Sequence, residues 1–296
     1  MSNTSISHTQ SSALMLVHAL TSVHAGTGQS AAVIDLPIAR EKATGFPTVP
    51  GSSLKGVLRD RLRGSDTKWS DMVFGVQERS GALCLTDLRI LCLPVRSLYG
   101  TFAYVTSPLV LWRLSRDCEA MGIEAFAKLP KVKLPMAGDH LDAKVANEKG
   151  DVISPNAAGG KANMFLEDLD LHAAQDNTTA AAGAEIASAL FEGNEADFTG
   201  RFVVIPDTAF SFLCETATEV SARVSLEETT KTVKKGGLWF EETVPAETIF
   251  YGLASVEKRF LSDEDTHPLD ALREVGALQI GGDSSVGRGL CRLVVV

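Results

Sequence analysis

The sequence predicts an α+β protein built on an elaborated ferredoxin-like sheet, and three observations carry that expectation. Strand-like and helix-like segments follow one another as strand, helix, strand, strand or helix, and later strand, helix, strand, which is compatible with an expanded β-α-β-β-α-β unit. The first strand and the first helix are separated by a long loop punctuated by glycine and proline. The chain closes with a glycine loop that feeds a last apolar strand. At 296 residues, 45% hydrophobic and 22% charged, the chain can bury a sizeable core and fits a soluble globular class.

Taken in order, residues 1–12 are polar and read as disordered. "ALMLVHALTSVHAG" (13–26) reads as the first strand, ending at Gly26. The loop over 25–51 is too long for a simple connection, and loops of that length are usually functional. "SSLKGVLRDRLRG" (52–64) is then a helix, with Ser52 or Ser53 as its cap and Leu54, Val57, Leu58 and Leu62 on one face. "GALCLTDLRILCLPVRS" and "YGTFAYVTS" read as strands. "SPLVLWRLSRDCEAMG" reads as a helix whose apolar stripe is Val110, Leu111, Leu114, Cys118 and Met121. Residues 125–200, rich in Ala, Gly and acids, read as a loop-and-helix insertion rather than a separate domain. "RFVVIPDTAFSFLCETATEV" reads as two strands about a Pro206-Asp207 turn, and residues 222–245 as a charged hairpin with "KKGG" at its middle. "AETIFYGLASVEKRF" alternates as a strand, "DALREVGALQ" suits a helix, and the final strand follows the loop "IGGDSSVGRG".

Composition also excludes several classes. No apolar run approaches the roughly 18–20 residues of a membrane span, and "ALMLVHAL" lacks the flanks of a signal peptide. Five cysteines, odd in number and scattered without a C-x-x-C pair, argue for buried reduced thiols in a cytoplasmic protein. The formal net charge is −9, yet residues 139–199 alone hold twelve Asp/Glu against three Lys/Arg. The remainder is balanced, with 25 of each sign, so a basic groove for nucleic acid is compatible with an acidic chain.

Four constellations can carry chemistry. Lys55, Arg59 and Arg63 recur at i, i+4 and i+8 on the first helix, beside a helix N-terminus able to receive an anion. Spacing alone leaves phosphate contact and an ordinary solvated face equally open. Gly56 costs that helix about 1 kcal/mol against Ala, which suggests that something approaches there closely. "GDSSVGRG" approaches a nucleotide phosphate loop but fails at the chemistry. Arg288 stands for the lysine, Gly289 for the hydroxyl, and a strand follows instead of a helix. A glycine loop hugging another backbone is what remains. His24 and Asp35 form the best pair for proton transfer or metal binding, beside the plainer reading of a turn aspartate and a hydrogen-bonded histidine. His8, His18, His140, His172 and His267 show no ligand spacing. Trp239 and Phe240 either pack in a sheet or stack on bases.

These residues also carry a resemblance. "HAGTGQSAAVIDLPIAREKATGFPTVPGSSLKGVLR" is similar to the N-terminal signature of the RAMP (repeat-associated mysterious protein) superfamily. Within it, the chain resembles the repeated backbone subunits of type III-B CRISPR effectors, the Cmr complexes, and the closely related backbone subunits of Csm complexes share its "GSSLKG" core. "TDLRILCLPVRSLYGTFAYVTSP", "LWFEETVPAETIFYG" and "IGGDSSVGRG" agree, so the likeness spans most of the chain.

The resemblance implies one RAMP domain over 1–296, a modified RNA-recognition-motif-like sheet with an insertion at about 125–200 and a thumb-like hairpin at about 222–245. It implies copies stacked head-to-tail along a guide CRISPR RNA, together with other effector subunits, in the cytoplasm and away from membranes. It further implies metal-dependent cleavage of a complementary single-stranded target RNA at regular intervals. Asp35 would be the catalytic aspartate and the ligand of a divalent metal, Mg²⁺, and His24 the histidine that opens its loop. The RNA contacts expected are Ser52, Ser53, Lys55, Arg59 and Arg63, with Arg40, Lys234, Lys235, Gly281, Gly282 and Arg288. Where the family carries a Glu–Tyr pair after the thumb, this chain reads Glu241-Glu242-Thr243, without the tyrosine. The alternatives are a guide-binding scaffold without catalysis and a ribonuclease that processes guide precursors.

Overall fold

A computed structural model describes residues 10–26, 34–64, 67–134, 141–154, 162–258, 261 and 265–296. The expected disorder of residues 1–9, the middle of the 25–51 loop, parts of the 125–200 segment, and His8 and His140 lie outside the described residues.

The chain opens with β1 (Gln10–Ala19), β2 (Thr48–Val49), α1 (Gly51–Leu62), α2 (Thr67–Phe74) and a short hairpin of β3 (Gly75–Val76) and β4 (Arg79–Ser80). Next come β5 (Leu83–Leu85), β6 (Leu88–Arg96), β7 (Phe102–Thr106) and α3 (Pro108–Ala120). The middle of the chain holds β8 (Leu141–Val145), β9 (Ala162–Leu166), β10 (Leu169–Gln175), α4 (Asn177–Leu190) and α5 (Glu195–Thr199). It is followed by β11 (Phe202–Val204), α6 (Asp207–Thr216), β12 (Glu219–Leu226), β13 (Val233–Thr243) and β14 (Ile249–Glu257). The last elements are α7 (Pro268–Arg273), β15 (Ala277–Gln279) and β16 (Leu290–Val295).

One large sheet runs β15-β16-β1-β14-β6-β7-β11-β8-β10-β9, with β2 added to β6 and β5 to β14. At its centre, β1 pairs antiparallel with both β14 and β16. Both faces of β1 are covered, so residues 13–17 and Ala19 are all buried. That explains why the strand reads as a continuous apolar run without alternation. The far end of the sheet curls back on itself. Ser97 bridges to Leu166, and the Glu167 amide donates to the Arg96 carbonyl at 3.0 Å. The strand β9 thus returns to the end of β6, and most of its outer edge is covered.

Four expectations are corrected here. The first strand begins and ends earlier than its apolar run suggests: Gln10–Ser12 belong to β1, and regular pairing stops at Ala19. Residues 125–200 do more than insert a loop and helices; β8, β9 and β10 extend the main sheet. These strands are short and laced with Ala and acids, so their period-2 pattern is faint. Residues 207–216 form a helix, not a second strand, because Ala209, Phe210, Leu213 and Cys214 recur at helical spacing and bury together. In the 219–243 hairpin the turn lies at 227–232, whereas Lys234, Lys235, Gly236 and Gly237 run within β13. A smaller difference concerns 270–279, where the helix stops at Arg273 and β15 follows.

The helix α1 forms where expected, with Leu54 and Leu58 fully buried. Its cap is different. Pro50 occupies the N-cap position without a side-chain bond, and Ser52 and Ser53 sit exposed inside the first turn. The Gly51 amide donates instead to Asp87 Oδ1 at 2.7 Å.

Candidate active site

Three segments meet at the foot of the β12–β13 hairpin, and the lower end of β13 is their template. Residues 34–40 run beside it in parallel: the Leu36 amide donates to the Phe240 carbonyl at 3.1 Å, and the Glu242 amide to the Leu36 carbonyl at 3.0 Å. Val23 and Val244 exchange two backbone bonds of 3.0 Å, which brings the segment ending in His24 to the same strand. The glycine loop before β16 closes the third side.

Asp35 is exposed, and its Oδ2 accepts the Phe240 amide at 2.8 Å. One carboxylate oxygen therefore anchors the loop to β13. Its Oδ1 bonds to no described residue.

His24 is buried, and its Nδ1–H donates to the Glu242 carbonyl at 2.7 Å. A carbonyl can only accept, so Nδ1 carries the proton of this bond, and Nε2 is the nitrogen turned away from it. The ring lies against two glycines. A Cβ on Gly26 would stand 2.6 Å from Nε2, and one on Gly282 would meet Cδ2 at 3.4 Å.

The glycine loop does hug another backbone, as its failed phosphate-loop chemistry suggests. Gly281 adopts φ +88°, and a Cβ there would fall 2.2 Å from the His24 carbonyl oxygen. The Gly282 amide donates to that same oxygen at 2.9 Å. Only glycine fits at 281, for the positive φ and for the close approach. The loop's role here is to seat His24.

Two buried glutamates organise what surrounds the pair. Glu242 accepts from the Ile38 amide at 3.1 Å, from Thr218 at 2.9 Å and from Arg40 at 2.5 Å. The same Arg40 donates to the carbonyls of Gly45 and Cys214 at 2.9 and 2.8 Å. Arg40, expected to meet RNA, is thus an internal strut that ties the loop to α6. Glu241 accepts from Arg288 and, at 3.1 Å, from Arg223. Arg223 also reaches Asp283 at 3.4 Å. Its neighbours Glu241, Arg223 and Arg288 hold the Asp283 carboxyl below the usual carboxylate range, against desolvation. Arg288, also expected on RNA, is committed to this cluster.

The cationic stripe is only partly free. Lys55 Nζ donates to the Leu83 carbonyl at 3.0 Å, and burial pushes its pKa down. Arg59 pairs with Asp71 at 2.9 Å, while Arg63 is exposed at the C-terminal end of α1. The helix N-terminus, expected to hold an anion, already holds the Asp87 carboxylate. Gly56 faces open space: beyond its own helix backbone, no described residue comes within 4 Å of an added Cβ. Lys234 and Lys235 are exposed on the hairpin, well away from the glycine loop in sequence and strand position.

The residues missed by spacing are Arg223, Asp283 and Asp87, together with the structural role of Glu241 and Glu242. Adjacent acids inside the otherwise apolar "LWFEETV" were the available signal, since a buried carboxylate must find cations or amide donors. Among the described residues no group of three or more His, Cys, Asp or Glu could hold a metal ion. A lone carboxylate oxygen suits Mg²⁺ carried mainly by substrate phosphate and water, not an all-protein cage.

Comparisons with known proteins agree with this architecture. The profile of the RAMP superfamily matches residues 16–292. The CRISPR system Cmr endoribonuclease Cmr4 of Pyrococcus furiosus is 35% identical over 295 residues, covering 95% of each chain. The crystal structure of oligomeric Cmr4 from the same organism superimposes with a TM-score of 0.71 at 31% identity, over 96% of this chain and 98% of that one. A chain of the type III-B Cmr-beta structure bound to cognate target RNA matches with a TM-score of 0.70 at 21% identity, over 96% and 97%, a likeness of fold alone.

Proposed function

Since the chain belongs to the RAMP superfamily, we propose that it is the repeated backbone subunit of a type III-B CRISPR ribonucleoprotein, and that it cleaves target RNA paired to the guide. Its curated relative of 35% identity is a Cmr endoribonuclease, and the solved relative is oligomeric. The partners that follow are guide RNA, target RNA, further copies of the chain and the other subunits of the effector. The fold reads as one RAMP domain whose β1, α1, β6, β7 and β14 elaborate a ferredoxin-like unit. Among the described residues no helix is long and apolar enough to cross a membrane, and the cytoplasm is the compartment this reading implies.

The observation that carries the catalytic reading is the two-sided Asp35 carboxylate. One oxygen is held by the Phe240 amide, the other bonds to no described residue, and the side chain is exposed at the foot of the hairpin. Such a group is fixed in place without being neutralised. It can accept a proton from an RNA hydroxyl or help to hold a divalent cation. That cation, Mg²⁺, would be held by Asp35 and the RNA, and would offset charge on the scissile phosphate. His24 presents Nε2 on the side away from its Nδ1 bond, and the ring's orientation depends on the Glu242 carbonyl and the glycine loop. No tyrosine follows Glu241-Glu242, so acid–base help from a phenol has no counterpart at that position.

The deciding experiment gives the assembled complex matched and mismatched labelled RNA, with Mg²⁺ or with a chelator. Cuts at regular spacing, only in matched RNA and only with the metal, are expected. Matched RNA bound but never cut would leave a scaffold. Cutting of guide precursors by the free chain would leave a processing nuclease.

A further inference from the structure

Two surface features remote from the candidate active site have no partner among the described residues, and they are complementary. The first is a cleft of about 370 Å³ on the outer side of α3. Its floor is apolar, made chiefly by Leu109, Leu111, Trp112, Leu129 and Val132. Trp112 is 46% exposed, with the Arg116 guanidinium 4.8 Å above its ring. Lys131 and Lys133 stand on the rim, both exposed and without a partner among the described residues. Asp207, also on the lining, already accepts the Leu109 amide at 2.9 Å.

The second feature is a knob. Leu98, on the turn between β6 and β7, is 70% exposed, more than any other large hydrophobic among the described residues. Its amide donates to the Phe165 carbonyl at 3.2 Å, which sets the β9–β10 turn beside it. That turn presents Glu167 and Asp168, and the start of β10 adds Asp170; all three side chains are exposed and none pairs with a described residue. Arg96 stands next to them, and the tip still carries an excess of acid.

We propose that the Leu98 tip of one copy enters the Trp112 cleft of the next, with Glu167, Asp168 and Asp170 against Lys131 and Lys133. This inference rests on the reading of the chain as a repeated subunit. An aliphatic knob ringed by carboxylates matches both the floor and the rim of the cleft. An RNA backbone would meet the lysines, but the leucines and valine of the floor would offer it no hydrogen-bond donor. The contact joins two different patches, so it does not close into a dimer, and copies add in one direction. The acidic segment of the chain thereby gains a purpose in assembly, separate from any role in binding RNA.

The test uses charge reversal in the full chain, with assembly followed by sedimentation across a concentration series, with and without guide RNA. Lys131→Glu with Lys133→Glu, and separately Asp168→Lys with Asp170→Lys, should each raise the concentration for half-assembly at least tenfold. All four substitutions in one chain should restore most of the loss. As an independent check, Leu98→Cys and Trp112→Cys in a Cys84→Ser background should give disulfide-linked ladders on oxidation. If wild-type chain fails to assemble even with guide RNA, the repeated-subunit reading itself falls. If wild type assembles while neither reversal weakens it and no ladder forms, only this docking surface falls. Loss of guide binding by the lysine variant at unchanged self-assembly would assign the cleft to RNA and overturn the proposal. Loss confined to joining the other effector subunits would overturn it as well.

Discussion

Asp35 and Glu242 stand on neighbouring segments, the 34–40 stretch and the lower end of β13, and they divide the labour of the site. Asp35 is exposed, with a single backbone bond, so its replacement costs little folding energy. Asp35→Asn keeps the size and the bond to Phe240 but removes the negative charge. Cleavage by the assembled complex is expected to fall at least about a hundredfold, the lower range for removing a positioned catalytic group. Guide binding and target affinity should stay near wild type. His24→Ala should cost less; full cleavage by Asp35→Asn would place catalysis elsewhere. Glu242 works the other way. It is buried, with Arg40, Thr218 and the Ile38 amide on its two oxygens. Glu242→Ala leaves the Arg40 cation uncompensated and should destabilise the fold by about 3–5 kcal/mol. A denaturant midpoint unchanged from wild type would show that Arg40 finds other partners.

At the scale of elements, α1 and the β13–β14 turn make separate predictions. Gly56 is exposed on α1 and its space is open, so Gly56→Ala should stabilise the free chain by up to about 1 kcal/mol. If guide RNA lies against this face, the same methyl should weaken guide binding while the fold gains stability. Unchanged affinity would move the guide off α1. Replacing Lys55, Arg59 and Arg63 together by Ala should reduce the salt slope of guide binding by about 0.7 for each phosphate that the helix no longer neutralises. The internal bonds of Lys55 and Arg59 make Arg63 the readiest of the three to contribute. Glu247, on the turn before β14, binds His18 of β1 at 2.8 Å and the Tyr104 hydroxyl of β7 at 2.6 Å. The His18 bond, then that of Tyr104, holds its carboxyl below the ordinary value of 4.5 despite burial. A depressed folded pKa means that this stabilisation is complete above about 4.5 and fades as pH falls through the lower folded value. Acid melts of Glu247→Gln should therefore show a weaker loss of stability below pH 4.5 than wild type.

For the whole molecule, the β12–β13 hairpin is the element least tied to the core. Val220, Val224, Leu226, Val233, Leu238 and Phe240 are all exposed on it, and an isolated two-stranded ribbon has little stability of its own. Replacing residues 225–237 by a two-residue turn should leave the melting temperature within a few degrees of wild type. The spacing of the guide–target duplex on the assembled array should change. Identical duplex geometry in electron micrographs would deny the hairpin its thumb role. The hairpin's foot is another matter, because Arg223 and Glu241 join it to Asp283 and Arg288 of the glycine loop and, through that loop, to His24. Displacement of the ribbon's foot reaches His24 by this route.

Local chemistry alone settles the first helix, the α3 stripe and the central apolar strands. Each depends on residues close in sequence, where periodicity and glycine content report directly on burial and turn geometry. Gly281 belongs with them in kind, since a glycine loop that lacks phosphate chemistry has to be approaching something closely. What it approaches, the His24 carbonyl, depends on a meeting across more than 250 residues of chain. The same holds for Arg40 and Arg288. A cation in a loop reads as free until the fold brings a buried glutamate to it, so nothing in the sequence opposed the RNA contacts that the resemblance implies for both. The strands of the 125–200 segment are hidden because Ala and acid give a weak two-residue period, and it is pairing with β11 and the return to Arg96 that hold them in the sheet. Spacing in sequence tells which side chains carry charge or apolar surface; only the packed chain decides which of those charges are already neutralised and which remain for a ligand.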